Sequence, residues 1–436
     1  MKNLLNYKNL KILILILILV ISFWRSPYIF LNGRFIGEEA NHHLIYALDN
    51  TFFKNLIYFD SFVGYYNMGP NLMLWIATKV DLQFAPLVTV YGSFIFIILL
   101  PYLCLFRESK FLDNENKKII GSLILFLSPP FVAEIWLNSL NTQIYLGLIS
   151  VMILFMKNLS KNEKILNNAL LIFSSLSAIY SCALLPLYAI KFFFNKTKYN
   201  LINFVILFIA TTIQLSLVII SSLNNSLHSS VLSNDFSFEI VINFVYNIVT
   251  KPFFGRELTH IIWDKLFLLL NYNSLAFLSL LSLLSLSLLV FIIYRFKLIF
   301  SFIKENNILL SLIIIFFTIS TIVVVGSLKN HVGGRYAVIP GAVLILCVLE
   351  ILYKVRNRYF KYLLSVMIAL SIMTGFYEFR PEQEDKSKHQ YIKYLDCVNC
   401  PDWQSEVKIW KTDNDYVIKI WPYPQKKLHG DRININ

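Results

Sequence analysis

Charged residues are scarce in this chain, and their scarcity limits the class of protein. Only 15% of the 436 residues are Asp, Glu, Lys or Arg, whereas soluble domains carry about 25%. Hydrophobic residues make up 57% and form blocks of about 20 residues, the length that crosses a bilayer as a helix. The composition therefore excludes a soluble globular domain and predicts an all-α polytopic membrane protein.

Several sequence signatures are also absent. The chain has no phosphate-cradling loop for ATP, no dinucleotide fingerprint and no cytoplasmic segment long enough for a domain. These absences argue against an ATP-driven pump and against a transferase that uses nucleotide sugars in the cytosol. No small-x-small cleavage site follows the first apolar block, so we expect this block to stay in the protein as its first helix.

The net charge of +13 does not predict nucleic-acid binding. Most basic residues lie in short linkers between apolar blocks, where they fix topology and meet anionic membrane lipids. Short linkers with three or more basic residues alternate with longer loops in which basic residues are sparser, which places the N-terminus in the cytoplasm. We therefore predict a multi-pass protein of the inner (plasma) membrane.

The apolar blocks predict about eleven transmembrane helices, although the 165–194 region could be two short helices or one long helix with a re-entrant piece. The expected spans are residues 12–24, 85–106, 119–133, 141–156, 165–180, 182–194, 201–221, 274–294, 306–326, 336–353 and 362–377. An odd number of spans places the C-terminus outside the cytoplasm. We therefore divide the chain into a transmembrane domain, residues 1–377, and a small extracytoplasmic domain, residues 378–436.

Two large outer loops, residues 25–84 and 222–273, separate some of these spans. Apolar residues at helical spacing predict short helices over residues 40–48 and 71–80 of the first loop. In the tail, two β-branched and aromatic segments, residues 405–410 and 415–421, flank a turn and predict a β-hairpin.

Two cysteines of the tail, Cys397 and Cys400, predict a local disulfide in the oxidising space outside the cytoplasm. A zinc site would require two further ligands, and none has a suitable spacing. The other three cysteines lie in predicted spans, where we expect them to pack: Cys104, Cys182 and Cys347.

Two adjacent glutamates, Glu38 and Glu39, lie just after the first span on its predicted outer side. On a helix they point about 100° apart, so only one can face a reacting atom squarely. Each raises the pKa of the other, and a carboxylate near a lipid headgroup can accept a proton from an attacking hydroxyl. The alternative is a solvated helix N-terminus, where acidic residues favour the helix dipole.

Two histidines, His42 and His43, lie four residues after Glu38 and Glu39 respectively, so each Glu–His pair shares a helix face. Such pairs could hold a divalent cation, although two ligands alone do not make a metal site. The alternative is that both histidines form hydrogen bonds near the lipid headgroups.

Further polar residues lie near two other predicted span ends. Glu134, Asn138 and Asn141 fall at helical spacing in a very short outer loop, where unpartnered polar groups are costly. We expect them to face the first outer loop, although Asn138 or Asn141 could instead cap a helix. At span ten, Gly334 allows close backbone approach, and Arg335 could bind a phosphate or extend its charge to the headgroups.

Together these features resemble the C-type membrane glycosyltransferases, the GT-C superfamily, over about residues 10–377. The resemblance rests on the many spans, the cytoplasmic N-terminus, the paired acids that open the first outer loop, the polar turn at 134–143 and the Gly334-Arg335-Tyr336 motif. Such enzymes transfer a sugar from a polyprenyl-phosphate donor to an acceptor on the outer face of the membrane.

The resemblance implies that Glu38 or Glu39 is the base that activates the acceptor, which would be a glycan, a lipid or a protein. It also implies that a guanidinium neutralises the departing lipid phosphate, and that amides and hydroxyls bind the sugar or position the base. The substrate-binding residues would then be Arg34, Glu134, Asn138, Asn141, Arg335 and Tyr336.

Three other functions stay open at this stage. A polysaccharide polymerase or ligase also works on the outer face, but such proteins often rely on arginines of a late outer loop, and residues 222–273 contain only Arg256. A flippase for lipid-linked glycans, or another transporter, would have ionisable residues or broken helices within its spans, where Gln214 is the notable polar residue. In a structural or assembly protein, Glu38, Glu39 and Arg335 would be dispensable.

Overall fold

The computed structural model describes residues 2–61, 64–127, 135–224, 242–272, 306–326, 334–379, 401–413, 415–420 and 426–428. The chain divides into two compact units. The first consists of residues 1–126, 131–234 and 379–436, and the second of residues 127–130 and 235–378. The two glutamates belong to the first unit, and Arg335 belongs to the second.

The described part of the chain is mostly helical, and six of its helices are long and apolar enough to cross a membrane. These helices are Tyr7–Arg25, Ala85–Phe106, Lys198–Leu223, Asn307–Val324, Gly334–Lys354 and Arg358–Phe379. Large apolar side chains such as Leu13, Phe208 and Phe317 are exposed on them, as expected where lipid replaces water. The protein thus has the architecture expected of an all-α membrane protein.

The first unit begins with the long helix α1 (Lys2–Arg25). Short helical segments of the first outer loop follow: α2 (Pro27–Asn32), a π-helix (Glu39–Leu44), α3 (Ile45–Asp49), α4 (Phe52–Leu56) and α5 (Met68–Ala77). Pro27 and Pro70 lie in the first turns of α2 and α5, where the missing N–H would have had no helical partner. The loop is therefore helical over most of residues 40–48 and 71–80, as predicted.

Seven further helices follow among the described residues 85–224 of the first unit. They are α6 (Ala85–Phe106), α7 (Glu115–Leu127), α8 (Thr142–Phe155), α9 (Lys161–Ser177), α10 (Ile179–Cys182), α11 (Leu185–Phe194) and α12 (Lys198–Leu223). Every residue of α8 is buried, which makes it the central helix of this unit.

Helix α8 is shorter than a full crossing. Its 14 residues rise about 20 Å, against a hydrocarbon core of about 30 Å. The 165–194 region consists of two helical segments, Lys161–Ser177 and Ile179–Phe194, and the chain bends by 114° between them. The predicted span at 274–294 lies outside the described residues, so the count of eleven stays a prediction.

The second unit has fewer described elements. They are a π-helix (Val245–Thr250), α13 (Lys251–Tyr272), α14 (Asn307–Gly326), a 3-10 turn (Gly334–Ala337), α15 (Val338–Lys354) and α16 (Arg358–Phe379). A kink at Gly255, which has a positive φ of 69°, interrupts α13. Helices α14 and α15 pack against each other along their lengths.

The tail does not have the first strand that the sequence predicted. Residues 405–410 belong to the helix α17 (Trp403–Thr412), and Asp402 caps this helix by accepting the Ser405 N–H at 2.9 Å. The prediction of a strand was wrong because Trp403, Val407 and Trp410 recur at helical spacing and form one buried face. After α17, the strand β1 (Ile418–Ile420) pairs antiparallel with β2 (Lys426–Leu428).

The described tail packs on the first outer loop and shares one hydrophobic core with it. Trp403, Val407 and Trp410 of α17 and two isoleucines of β1 contribute from the tail. The loop contributes Phe35, Ala40, Leu44, Leu74, Ala77 and Leu82, and Ala85, the first residue of α6, completes the core. The described tail therefore belongs to the first unit, whose last segment begins at residue 379.

Candidate functional site

Glu39 is a fully buried carboxylate, 0% exposed. Its Oε2 accepts the Ile36 N–H at 2.9 Å, the contact by which an acidic residue closes the first turn of a helix. Its Oε1 accepts the Ser139 N–H at 2.7 Å and the Ser139 Oγ–H at 2.6 Å. Both carboxylate oxygens are therefore bonded, and Glu39 joins the first outer loop to the segment that precedes α8.

Burial raises the pKa of Glu39 from its ordinary 4.5 to about 7. The hydrogen bonds from Ser139 and Ile36 oppose this rise because they favour the charged form, while the negative charge of Glu38 adds to it. Glu39 therefore changes its protonation state near neutral pH while it remains inside the protein.

Glu38, in contrast, is exposed. It has helical backbone angles, with φ −66° and ψ −32°, and directly precedes the π-helix. The two neighbours therefore point in different directions, one into the protein and one out of it, as helical geometry predicts. Of the two, Glu38 is the carboxylate that a substrate could reach.

The turn before α8 meets the first outer loop through Ser139 and the residues around it. Besides the bonds from Ser139 to Glu39, the Gln143 Nε2 donates to the Tyr65 hydroxyl at 2.9 Å, and the Asn67 Nδ2 donates to the Leu140 carbonyl at 3.3 Å. The predicted contact between this turn and the first loop is thus present, but Ser139 is the residue that the sequence did not single out. No periodic pattern marks it.

Asn138 and Asn141 do not share a helix face, because α8 begins only at Thr142. Asn138 Oδ1 accepts the Asn141 N–H at 2.8 Å, and the Asn138 carbonyl accepts the Thr142 Oγ1–H at 2.9 Å. Both asparagines are buried and shape the turn, so the helical arrangement predicted for them was wrong. Asn141 is the N-cap residue of α8, but its side chain does not cap the helix. Glu134 lies outside the described residues.

The two histidines have different partners. His42 Nδ1 lies 2.9 Å from an Asp60 carboxylate oxygen, and this pair is partly exposed. His43 is buried, and its Nδ1 lies 2.9 Å from Asn71 Oδ1. Because the Asn71 amide nitrogen donates to the Tyr58 carbonyl at 2.8 Å, Asn71 Oδ1 is the acceptor and His43 carries its proton on Nδ1.

Burial lowers the pKa of His43 from its ordinary 6.5 to about 4, so its ring is neutral at physiological pH. The charges of Asp60, His42 and Glu38 also act on it, which places these four residues in one neighbourhood. Among the described residues, no group of three or more His, Cys, Asp or Glu side chains could hold a metal ion. The two histidines therefore have no third ligand in the part of the chain that the structure describes.

Aromatic rings border this neighbourhood. Tyr46 and Tyr58 are stacked with their ring centroids 4.0 Å apart, and the edge of Tyr58 meets His43 at 5.3 Å. Both tyrosines are half-buried. An exposed carboxylate, a His–Asp pair and a stacked aromatic pair together suit a ligand that has both hydroxyl groups and an apolar ring face.

Arg34 is half-buried in the same loop. Burial and a hydrogen bond to Asp402 raise the pKa of Tyr28 to about 12, and the charge of Arg34 opposes this rise. The structure therefore places Arg34 near the junction of the loop and the tail.

Arg335 lies in the 3-10 turn that leads into α15 of the second unit. Its guanidinium donates to the Tyr336 hydroxyl at 3.2 Å and lies 5.2 Å from the centre of the Tyr336 ring. Gly334 has a positive φ of 58°, and a side chain built on it would meet no atom of the described residues within 4 Å.

The cysteines divide into two groups. Cys104, Cys182 and Cys347 are buried and free, in agreement with their predicted packing role. Cys397 and Cys400 lie outside the described residues, so their predicted disulfide stays a prediction.

The fold and these contacts define a polytopic helical membrane protein with a carboxylate-centred site directly after its first span. No family model matches the sequence, and neither a curated protein nor a solved structure is detectably similar to it.

Proposed function

We propose that the protein is a membrane glycosyltransferase that moves a sugar from a polyprenyl-phosphate donor to an acceptor hydroxyl, with Glu38 as the base. The observation that carries the proposal is the difference in environment between the two adjacent glutamates. Glu39 is buried and bonded through both oxygens, which fixes the backbone that presents the exposed Glu38 carboxylate. A fixed, accessible carboxylate beside a membrane span suits proton removal from an acceptor at the membrane surface.

In the proposed reaction, the Glu38 carboxylate accepts the proton of the acceptor hydroxyl while the acceptor oxygen bonds to the anomeric carbon of the sugar. The bond from that carbon to the phosphate oxygen breaks, and the lipid phosphate leaves with the electron pair. We assign Arg335 to the departing phosphate, since a guanidinium matches phosphate with two parallel hydrogen bonds.

The GT-C-like arrangement with eleven spans is part of this proposal. The described tail packs on the loop that follows α1, which supports a proposed topology with both segments on the same side of the membrane. An even number of crossings must therefore separate them, and the ten that remain after α1 in an eleven-span protein meet this condition. The basic linkers support a cytoplasmic N-terminus, which puts the loop, the tail and the proposed reaction on the outer face of the inner membrane.

The test is a transfer assay on the purified full-length protein in lipid nanodiscs with a radiolabelled polyprenyl-phosphate sugar. Wild-type protein should transfer the sugar to an acceptor or, without one, slowly hydrolyse the donor. Glu38→Gln should lower the rate by about 10²–10⁴-fold, the usual contribution of a general base. Arg335→Ala should also lower the rate.

The matched control is Asp49→Asn, which removes another exposed carboxylate of the same loop and should leave the rate unchanged. If Glu38→Gln and Asp49→Asn behave alike in a protein that transfers sugar, Glu38 is not the base. A wild-type protein that neither transfers nor hydrolyses any donor tested would remove the support for a glycosyltransferase.

One observation favours a second candidate, a transporter of lipid-linked glycans. The 114° bend between Lys161–Ser177 and Ile179–Phe194 is the kind of broken helix that binds substrates in transporters. A lipid-linked glycan that crosses proteoliposome membranes with its phosphate bond intact would support this candidate against the transferase.

A further inference from the structure

Gln214 is a polar side chain within the membrane part of the first unit. It belongs to α12, whose 26 residues rise about 39 Å, and it lies about 14 Å along the axis from the end of the helix at Leu223. Its side chain is 1% exposed. An amide at this depth is costly unless its donor and acceptor atoms are bonded.

The Gln214 amide is bonded to the backbone of Tyr66 in the first outer loop. Its Oε1 accepts the Tyr66 N–H at 2.9 Å, and its Nε2 donates to the Tyr66 carbonyl at 2.9 Å. The same Nε2 lies 3.4 Å from the Ser175 carbonyl, near the C-terminal end of α9 where the chain bends. The Gln214 side chain therefore forms hydrogen bonds with backbone groups of both the first outer loop and α9.

The Gly64–Asn67 segment thus reaches from an outer loop to the depth of Gln214. Non-helical backbone is tolerated at such depth only where protein surrounds it or where it lines a cavity. Gly64 has a positive φ of 81°, which lets the chain turn there without strain. Three further hydrogen bonds hold this segment: the Gln143 Nε2 of α8 donates to the Tyr65 hydroxyl, the Tyr66 hydroxyl donates to the Leu56 carbonyl, and the Asn67 amide donates to the Leu140 carbonyl.

This segment is also connected to the candidate site. The Gly64 N–H donates to the Asp60 carbonyl at 3.1 Å, and the Asp60 carboxylate pairs with His42 at 2.9 Å. A continuous path of hydrogen bonds and short backbone links therefore leads from Gln214 through Tyr66 and Asp60 to His42, four residues after Glu38.

We propose that Gln214 is a positioning residue for the site around Glu38. It holds the Gly64–Asn67 segment at membrane depth as a re-entrant turn and thereby sets Asp60 against His42. The catalytic part of this inference rests on the proposed glycosyltransferase function, whereas the structural part does not.

The structural part is tested by hydrogen exchange of the intact protein in nanodiscs. Gln214→Leu keeps a side chain of similar volume but removes both hydrogen bonds to Tyr66. The backbone amides of the peptide that contains Tyr66 should therefore exchange about tenfold faster. Gln214→Glu in its neutral form still offers one acceptor and one donor, and it should retain most of the protection. Thr212→Val is the control, because Thr212 is exposed and its hydroxyl donates to the Phe208 carbonyl of its own helix.

The catalytic part is tested with the donor-transfer assay. Gln214→Leu should lower kcat about tenfold or more and leave KM for the donor unchanged, and Gln214→Glu should restore the rate. Unchanged exchange at Tyr66 in Gln214→Leu would overturn the re-entrant turn. Faster exchange with an unchanged kcat would overturn the positioning role, and a wild-type protein without transfer activity would count against the proposed function only, since the exchange result stands by itself.

Discussion

The first outer loop is held on two sides by different means. On one side, the turn before α8 meets it through a few directional hydrogen bonds, centred on the Glu39 carboxylate and Ser139. On the other side, α17 and β1 of the tail cover it with a hydrophobic core that includes Trp403 and Trp410. We call these the polar side and the apolar side of the loop.

The polar contacts set the orientation of the loop, whereas the apolar contacts hold the tail against the loop. Hydrogen bonds to a buried carboxylate fix direction and are sensitive to pH, because the charged form is costly to bury. Apolar burial is roughly proportional to area and indifferent to pH. The polar side therefore orients the backbone that carries Glu38. The apolar side supplies most of the free energy that holds the loop and tail together.

The largest expected effect is on the apolar side. Trp403 packs edge-on against Phe35 with ring centroids 4.9 Å apart, and its Nε1–H donates to the Leu82 carbonyl at 2.7 Å. Trp403→Ala should cost about 3–5 kcal/mol of docking free energy, the usual range for a buried tryptophan. Limited proteolysis should then cleave the tail much faster than in the wild-type protein.

The control for this substitution is Ile409→Ala on the exposed face of the same helix. It should change the cleavage rate little, since exposed substitutions usually stay within about 0.5 kcal/mol. A tail that resists protease equally in Trp403→Ala and wild type would show that the shared core does not hold it.

The next effect belongs to the polar side and concerns pH. The pKa of Glu39 is raised from 4.5 to about 7, so the folded protein binds this proton more tightly and stability falls as pH rises through that window. The pKa of His43 is lowered from 6.5 to about 4, so stability rises with pH through its window. Each effect amounts to about 3 kcal/mol, and between about pH 4.5 and 6.5 the two have opposite signs and nearly cancel.

Single substitutions should separate these two contributions. In Glu39→Gln, the free energy of unfolding should rise with pH between about 4 and 6.5, because only the His43 contribution remains. In His43→Gln, it should fall between about pH 4.5 and 7. Denaturant titrations at several pH values measure both slopes, and two variants with parallel pH profiles would contradict the assignment of these two buried groups.

The sequence predicted the apolar blocks, the first-loop helices and the contact between the turn and the loop, because these follow from composition, periodicity and the cost of buried polar groups. It did not predict Ser139 as the partner of Glu39, since the two residues lie 100 positions apart and no local pattern links them. It also assigned residues 405–410 to a strand, because short apolar and aromatic segments occur in both strands and helices. Which glutamate is buried could be decided only from tertiary packing.

The smallest effect lies at the exposed edge of the apolar side, where Lys411 Nζ pairs with Asp81 at 3.0 Å. The two side chains are 39% and 50% exposed, so solvent and salt screen their attraction, and exposed pairs of this kind contribute roughly 0.2–1 kcal/mol. Lys411→Gln should therefore speed tail cleavage only slightly, and the difference from wild type should vanish in about 1 M salt. Lys419→Gln, a charge change on the exposed face of β1, is the matched control. A loss in Lys411→Gln as large as that in Trp403→Ala would mean that charge pairing, and not the shared core, holds the tail on the loop.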